Sequence, residues 1–220
     1  MANRRKILLV EGESDKSFFE EICKKLSLDA SVLVAPPIDL GGTHNTKGGV
    51  SNHLKILLPQ LDDGQISHIA VVVDADYDQN GGGYQRTMAN LTKIVEPFGF
   101  VVENKSETVS GICFKNTNGL SDLGLWIMPD NRKEGMLEDW IKSCVSESEQ
   151  ELFQQAVQAV DQISTPKFKP HSYSKAEVAT WLAWQKKPGQ GLYATIENKL
   201  LNDEYPLFKN LEEWMVKIFP

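Results

Sequence analysis

Apolar runs and helical periodicities alternate along the first part of the chain. Residues 6–10 (KILLV) are apolar without alternation, as expected of a strand covered on both faces. The run ends at Glu11-Gly12. Behind it Phe18, Phe19, Ile22 and Leu26 recur at helical spacing, with Ser14 or Asp15 as cap. Residues 31–38 (SVLVAPPI) resume a strand that Pro36 and Pro37 end or confine to a sheet edge. A glycine-rich loop at 40–49 leads to Leu54, Leu57, Leu58 and Leu61, again at helical spacing. Residues 66–73 (ISHIAVVV) give the strongest strand pattern, and Asp74-Ala75-Asp76 follows at once. A loop at 79–83 precedes a helix over about 84–97. Further strands are predicted near 100–103 and 124–128, with a hairpin through 111–115 between them.

From Met136 onward the pattern is helical, with segments at 136–144, 147–160, 174–187, 192–201 and 207–219. Strands alternating with helices predict βαβ units, and hence an α/β fold: a parallel sheet flanked by helices with right-handed crossovers. The helical remainder has no strand to add. It reads as a C-terminal extension packed on the sheet, with an α/β domain at 1–135 and the extension at 136–220.

Composition narrows the functional classes. No apolar run approaches the roughly 20 residues of a membrane-spanning helix. The apolar stretch before Glu11 is too short for a signal peptide, so a cytoplasmic protein without membrane partners is expected. Cys23, Cys113 and Cys144 are odd in number and lack a CxxC pair, which predicts reduced structural thiols and no zinc ribbon. The net charge of −7 argues against a protein that coats nucleic acid by bulk electrostatics. It leaves room for an enzyme that meets phosphates through bound cations, because a carboxylate cluster adds to the negative total and metal neutralises it. Residues 166–187 carry Lys167, Lys169, Lys175, Lys186 and Lys187 against Glu177 alone, a solvated face or else a phosphate-binding one.

The carboxylates carry the chemistry. Open α/β sheets hold ligands at the carboxyl ends of their strands. Glu11 directly follows the first strand, and Asp74 and Asp76 directly follow the third. If those strands are neighbours, three carboxylates meet on one rim. Asp74 and Asp76 are two apart, so an extended backbone sends their side chains to the same side. Hard oxygen ligands of this kind suit Mg²⁺ or Mn²⁺, which share coordination with substrate phosphates. Asp15 either turns back to the rim or caps the helix. No pairing among His44, His53, His68 and His171 suits a metal cage: His68 reads as structural, and His171 sits in the basic stretch within reach of a phosphate. Trp126, Trp140, Trp181, Trp184 and Trp214 fall in apolar segments and read as core.

ILLVEGESD followed by IAVVVDADYD resembles the TOPRIM signature, a glutamate after the first strand and a DxD after a later one. The segments GLWIMPDNRKEGMLEDWI and HSYSKAEVATWLAWQKKPGQGL extend the likeness over nearly the whole chain. The chain is similar to a small TOPRIM-like family allied to the nuclease domain of overcoming-lysogenization-defect (OLD) proteins. The resemblance implies a TOPRIM-like, Rossmann-like sheet and a Mg²⁺- or Mn²⁺-dependent nuclease. Glu11 matches the TOPRIM glutamate, Asp74 and Asp76 its DxD, and Asp15 the acid of the EGxxD form. Glu138 is similar to a later acid that serves a second metal, and Lys175 to a lysine near the scissile phosphate. As helical residues, the same two read as a first-turn acid and a surface lysine. The P-loop of a full OLD protein is absent, and the stretch 41–49 with Lys47 lacks its spacing.

The leading expectation is therefore a divalent-metal-dependent phosphodiester-processing enzyme, a nuclease acting on DNA or RNA. The rival is a non-catalytic metal- or nucleic-acid-binding TOPRIM module of a defence or regulatory system, working with a partner protein. A DxD after a strand also suits a sugar-nucleotide transferase, which leaves Glu11-Gly12 unexplained. An exposed edge at 31–38 offers a route to a homodimer, blunted by its prolines.

Overall fold

The computed structural model describes residues 4–36, 46–103 and 111–220. Six strands form one sheet in the order β2-β1-β3-β6-β5-β4. They are β1 (Arg5–Leu9), β2 (Ser31–Leu33), β3 (Ile66–Asp74), β4 (Phe100–Val102), β5 (Ile112–Asn116) and β6 (Leu123–Met128). Strands β2, β1, β3 and β6 run parallel, and β5 and β4 close the far side antiparallel. The expected parallel sheet is thus mostly, not wholly, parallel. The predicted hairpin at 111–115 is instead strand β5, paired with both β4 and β6. Strands β1 and β3 are neighbours, and β2 is an edge strand that stops short of Pro36.

The unbroken apolar character of the central strands follows from burial on both faces. Leu8, Val10, Ala70, Val72, Trp126 and Met128 point into one core, and Ile7, Leu9, Ile69, Val71, Leu125 and Ile127 into the other. The second core is closed by helices α2 (Lys47–Asp62) and α3 (Tyr84–Val95). The first is closed by α1 (Glu13–Lys25) together with the C-terminal elements α4 (Leu137–Cys144), α5 (Gln150–Asp161), α6 (Tyr173–Ala183), α7 (Ala194–Glu197) and α8 (Pro206–Ile218). The helical extension therefore packs beside α1 on the same sheet face. Helix α8 comes so close to β6 that a Cβ on Gly124 would sit 2.8 Å from Ile218 and 3.0 Å from Trp214.

Some expectations shift. Helix α1 takes Gly12 as its N-cap, and Asp15 contributes from the third position by accepting the Gly12 N–H at 2.8 Å. The helix predicted over 192–201 shrinks to the single turn of α7, because Gly191 and a left-handed Lys199 bound it. Helix α6 stops at Ala183, well before Lys187. Trp126, Trp140, Trp181 and Trp214 are buried as expected, but Trp184, just beyond α6, is 45% exposed. Cys23, Cys113 and Cys144 are all free and buried. His44 and Pro37 lie outside the described residues. No described helix is long and apolar enough to cross a membrane.

Candidate metal centre

The parallel strands end on one rim, and the residues just past their ends build the site. Glu11 follows β1 and accepts the backbone N–H of Asp74, the last residue of β3. Its other oxygen, Oε2, is buried and has no hydrogen-bond partner. Burial pushes the Glu11 carboxyl up to about 7; Lys47 opposes the rise, and Asp76 and Asp15 add to it. Asp74 Oδ1 accepts the N–H of Leu137 at 2.9 Å, which ties β3 to the first turn of α4. Burial, then repulsion from Asp15, Glu11 and Glu138, raises its carboxyl well above the ordinary range, with Lys175 opposing.

The remaining acids divide between two lobes. In one, Asp15 is pushed up to about 6 by burial and by Glu138, against the Gly12 N–H and Lys175. Glu138, buried at the start of α4, pairs with Lys175 Nζ at 3.0 and 3.1 Å. Burial disfavours the charged ammonium of Lys175, but Glu138, Asp74 and Asp15 outweigh it and its pKa is raised. In the other lobe, Asp76 Oδ2 meets Lys47 Nζ at 2.5 Å, while the same ammonium donates to the Ala75 carbonyl at 3.0 Å. Glu11 feels both lobes and stands between them.

Asp76 departs from the expected geometry. Its φ is 60°, in the left-handed region, so strand alternation no longer places its side chain beside that of Asp74. Backbone bonds hold this bend on both sides: Asp76 N–H to Gly135 at 2.8 Å, the return bond at 3.1 Å, and Gly83 N–H to Ala75 at 2.8 Å. Gly82 lets the loop close over it, since a Cβ there would lie 2.5 Å from that of Asp76 and 2.9 Å from the Ala75 carbonyl oxygen.

Asp15, Asp74, Glu138 and Lys175 are thus brought within electrostatic reach of one another, and Glu11 within reach of Asp15 and Asp74. Asp15 both caps α1 and joins the cluster, so its two readings hold together. Among the described residues, however, no three acidic, histidine or cysteine side chains are already drawn together as a ligand set. The donor set still fits a hard divalent ion: the oxygens are carboxylate oxygens, and one of them is buried without a partner.

Other participants were not singled out from the sequence. Lys47, which the sequence places at the end of the glycine-rich stretch, opens α2 and crosses to the β3 rim. Asp139 accepts the Tyr77 hydroxyl at 3.1 Å and the Met136 N–H at 2.9 Å, and it also bonds the Ser174 hydroxyl, joining the β3 loop, α4 and α6. Burial and Asp139 push the Tyr77 hydroxyl up to about 12. Lys142 pairs with Glu177, the one acid of the basic stretch. A hydroxyl or acid facing inward from a helix leaves no mark in the sequence beyond a polar residue on an otherwise apolar face.

No curated protein and no solved structure matches this chain. Residues 5–220 match the family model described as protein of unknown function (DUF3226), and the chain belongs to that family.

Proposed function

We propose that this chain is a divalent-metal-dependent enzyme acting on phosphodiesters, a nuclease of DNA or RNA. The observation that carries the reading is the buried, unpartnered Oε2 of Glu11 among carboxylates at the carboxyl ends of parallel strands. A polar atom left unpaired in a buried site is costly unless something binds it. The TOPRIM likeness of ILLVEGESD and IAVVVDADYD points the same way.

Glu11, Asp74 and Asp76 would hold one Mg²⁺ or Mn²⁺, and Asp15, Asp74 and Glu138 are the residues for a second. Such an ion supplies Lewis-acid polarisation of a phosphoryl group and acidifies a water molecule. The protein's own groups supply the rest. Lys175, half-exposed and tied only to Glu138 by an ion pair, offers its ammonium to negative charge building on the phosphorus. Leu137 N–H holds Asp74 and so fixes that ligand's orientation. Glu11, whose carboxyl sits near 7 in the metal-free protein, would give up its proton on binding an ion.

The second reading, a non-catalytic binding module, draws on Lys47 and Lys175, which already neutralise part of the cluster. One titration separates the two. Mg²⁺ and Mn²⁺ are added to wild-type protein and to an Asp74→Ala, Asp76→Ala double variant, with labelled DNA and RNA in the same tubes. Metal binding with cleavage, both absent from the variant, is the expected result. Metal binding without cleavage moves the reading to the binding module, and no metal binding by the wild type refutes the metal-dependent enzyme and any metal-binding module.

A further inference from the structure

Two cavities open beside the carboxylate rim, and Tyr77 lines both. The larger, about 560 Å³, is bounded by Tyr77, Lys133, Glu134, Asp139, Lys142 and Asn210 among others. The smaller, about 350 Å³, lies between Tyr77, Gln79 and Asn80 on the loop after β3 and His171 ahead of α6. Both volumes fall within the roughly 300–1,000 Å³ of small-ligand sites. Tyr77 directly follows Asp76, and Asp139 directly follows Glu138. The walls of the larger cavity therefore continue the two segments that carry the carboxylates.

The chemistry of these walls is specific in what it offers and what it withholds. Lys142 is spent on Glu177, and Lys133 lies 3.7 Å from Asp130, so the larger cavity presents little uncompensated positive charge. Glu134 accepts the Asp78 N–H at 2.7 Å, and Asp139 holds the Tyr77 hydroxyl. Lys133, largely exposed, is the one lightly held cation of this lining, and cavities of about 560 and 350 Å³ admit an unpaired base but not a stacked, paired duplex. An aromatic ring flanked by side-chain amides and carboxylates suits instead the faces and hydrogen-bonding edges of unpaired bases.

Resting on the phosphodiester reading, we infer that these cavities receive the unpaired nucleotides flanking the phosphate held at the carboxylate rim. Tyr77 stands between successive bases, and the substrate is a single strand or a frayed end rather than closed duplex. Phosphate is met at the rim through divalent ions, and bases are met in the cavities by Tyr77, Asn210, Gln79 and Asn80. The hydrogen bond to Asp139 keeps the Tyr77 ring at the junction of the two cavities, so ring position and ligand loop are set by the same contact.

Fluorescence anisotropy with labelled oligomers of about 12 nucleotides tests this on the full chain. The probes are single-stranded DNA, single-stranded RNA and a blunt hairpin duplex, each measured in chelator and in Ca²⁺. Wild type is expected to bind one or both single strands at least about tenfold more tightly than duplex. Tyr77→Leu should weaken single-strand binding roughly tenfold in either buffer, the scale of one lost base stack, while Tyr77→Phe, which keeps the ring and loses only the bond to Asp139, should lose clearly less. Asn210→Leu, on α8 and outside the Tyr77–Asp139 contact, should weaken it several-fold even if Tyr77→Leu misfolds. Duplex preference, failure of wild type to bind any strand, or wild-type affinity in both Leu variants overturns the inference. Calorimetry with Mn²⁺ alone keeps the two ideas apart. Absent Mn²⁺ binding sinks the metal reading, whereas Tyr77-dependent binding in chelator is decided without metal. The DNA and RNA arms separate the two sugars.

Discussion

Glu11→Gln isolates what ionising Glu11 costs the metal-free protein. Burial, with Asp76 and Asp15 adding and Lys47 opposing, moves this carboxyl from an ordinary 4.5 to about 7. A raised folded-state pKa means that the folded protein holds the proton more tightly than the unfolded chain does. The associated stability is fully present below 4.5 and is lost as the pH rises through about 7. Each tenfold change in proton affinity is worth about 1.4 kcal/mol, so the wild type gives up about 3 kcal/mol from this one group. Glutamine keeps the shape and cannot ionise. Urea unfolding of both proteins in chelator, from about pH 4.5 to pH 8.5, gives the difference directly. The variant should gain about 3 kcal/mol on wild type across that range, or about 6–12 °C in thermal midpoint for a chain of this size. Taking the difference cancels other groups, among them His53 and His68, whose lowered pKa values push stability the opposite way. Added Mg²⁺ should reverse the sign, since a cation stabilises the ionised carboxylate that the variant lacks. Curves that run parallel in chelator would refute the burial argument for Glu11.

Three further outcomes follow from the same geometry. Lys47→Met removes the internal cation from Asp76 and Glu11, so calorimetry should show Mg²⁺ binding strengthened by about tenfold, while the metal-free protein loses about 1 kcal/mol. Lys175→Met and Glu138→Gln should differ although they break one ion pair. Losing Lys175 strands a buried carboxylate beside Asp74 and Asp15 and costs about 1–3 kcal/mol near pH 8, whereas losing Glu138 relieves that repulsion and is nearly neutral; equal losses in denaturant unfolding would count against the cluster. Gly82→Ala places a methyl 2.5 Å from the Asp76 Cβ, so the loop must shift, with about 1–3 kcal/mol lost and metal affinity falling with it.

Much of the fold was legible because two-sided burial writes itself into composition. KILLV and ISHIAVVV could be nothing but central strands in an α/β pattern, and their adjacency put Glu11 next to Asp74. The antiparallel half was harder to read. Strand β4 has three residues with Val101 and Val102 exposed, and β5 alternates only partly, so neither carries the apolar run of a buried strand. The site divided along the same line. Acids placed by strand ends could be found from order alone, whereas the left-handed turn at Asp76 depends on backbone bonds to Gly135, nearly sixty residues away. Lys47 reaches the rim from a helix on the far side of the chain's crossover, and Asp139 reaches Tyr77 and Ser174 only because α4 and α6 pack together. Contacts of that kind are set by tertiary packing, and local spacing carries no record of them.

The two lysines help the carboxylate cluster to fold without a bound cation. Five carboxylates, Glu11, Asp15, Asp74, Asp76 and Glu138, face two ammonium groups. Fully ionised, the site would carry a marked excess of negative charge in a poorly solvated place, and the chain can relieve it in only two ways. It can retain protons, which is what the raised pKa values of Glu11, Asp15 and Asp74 express, or it can take up cations. The two are alternatives at the same oxygens, so any metal uptake near neutral pH should release protons. Glu11 is the pivot of that exchange because it alone is coupled to both lobes and its Oε2 has nothing else to bind. Lys47 and Lys175 each hold their own lobe, and neither is hydrogen-bonded to Oε2. The sequence position of Glu11, two residues past the end of β1 and just ahead of α1, is what lets one side chain meet the Asp74 backbone of β3 and feel Lys47 of α2.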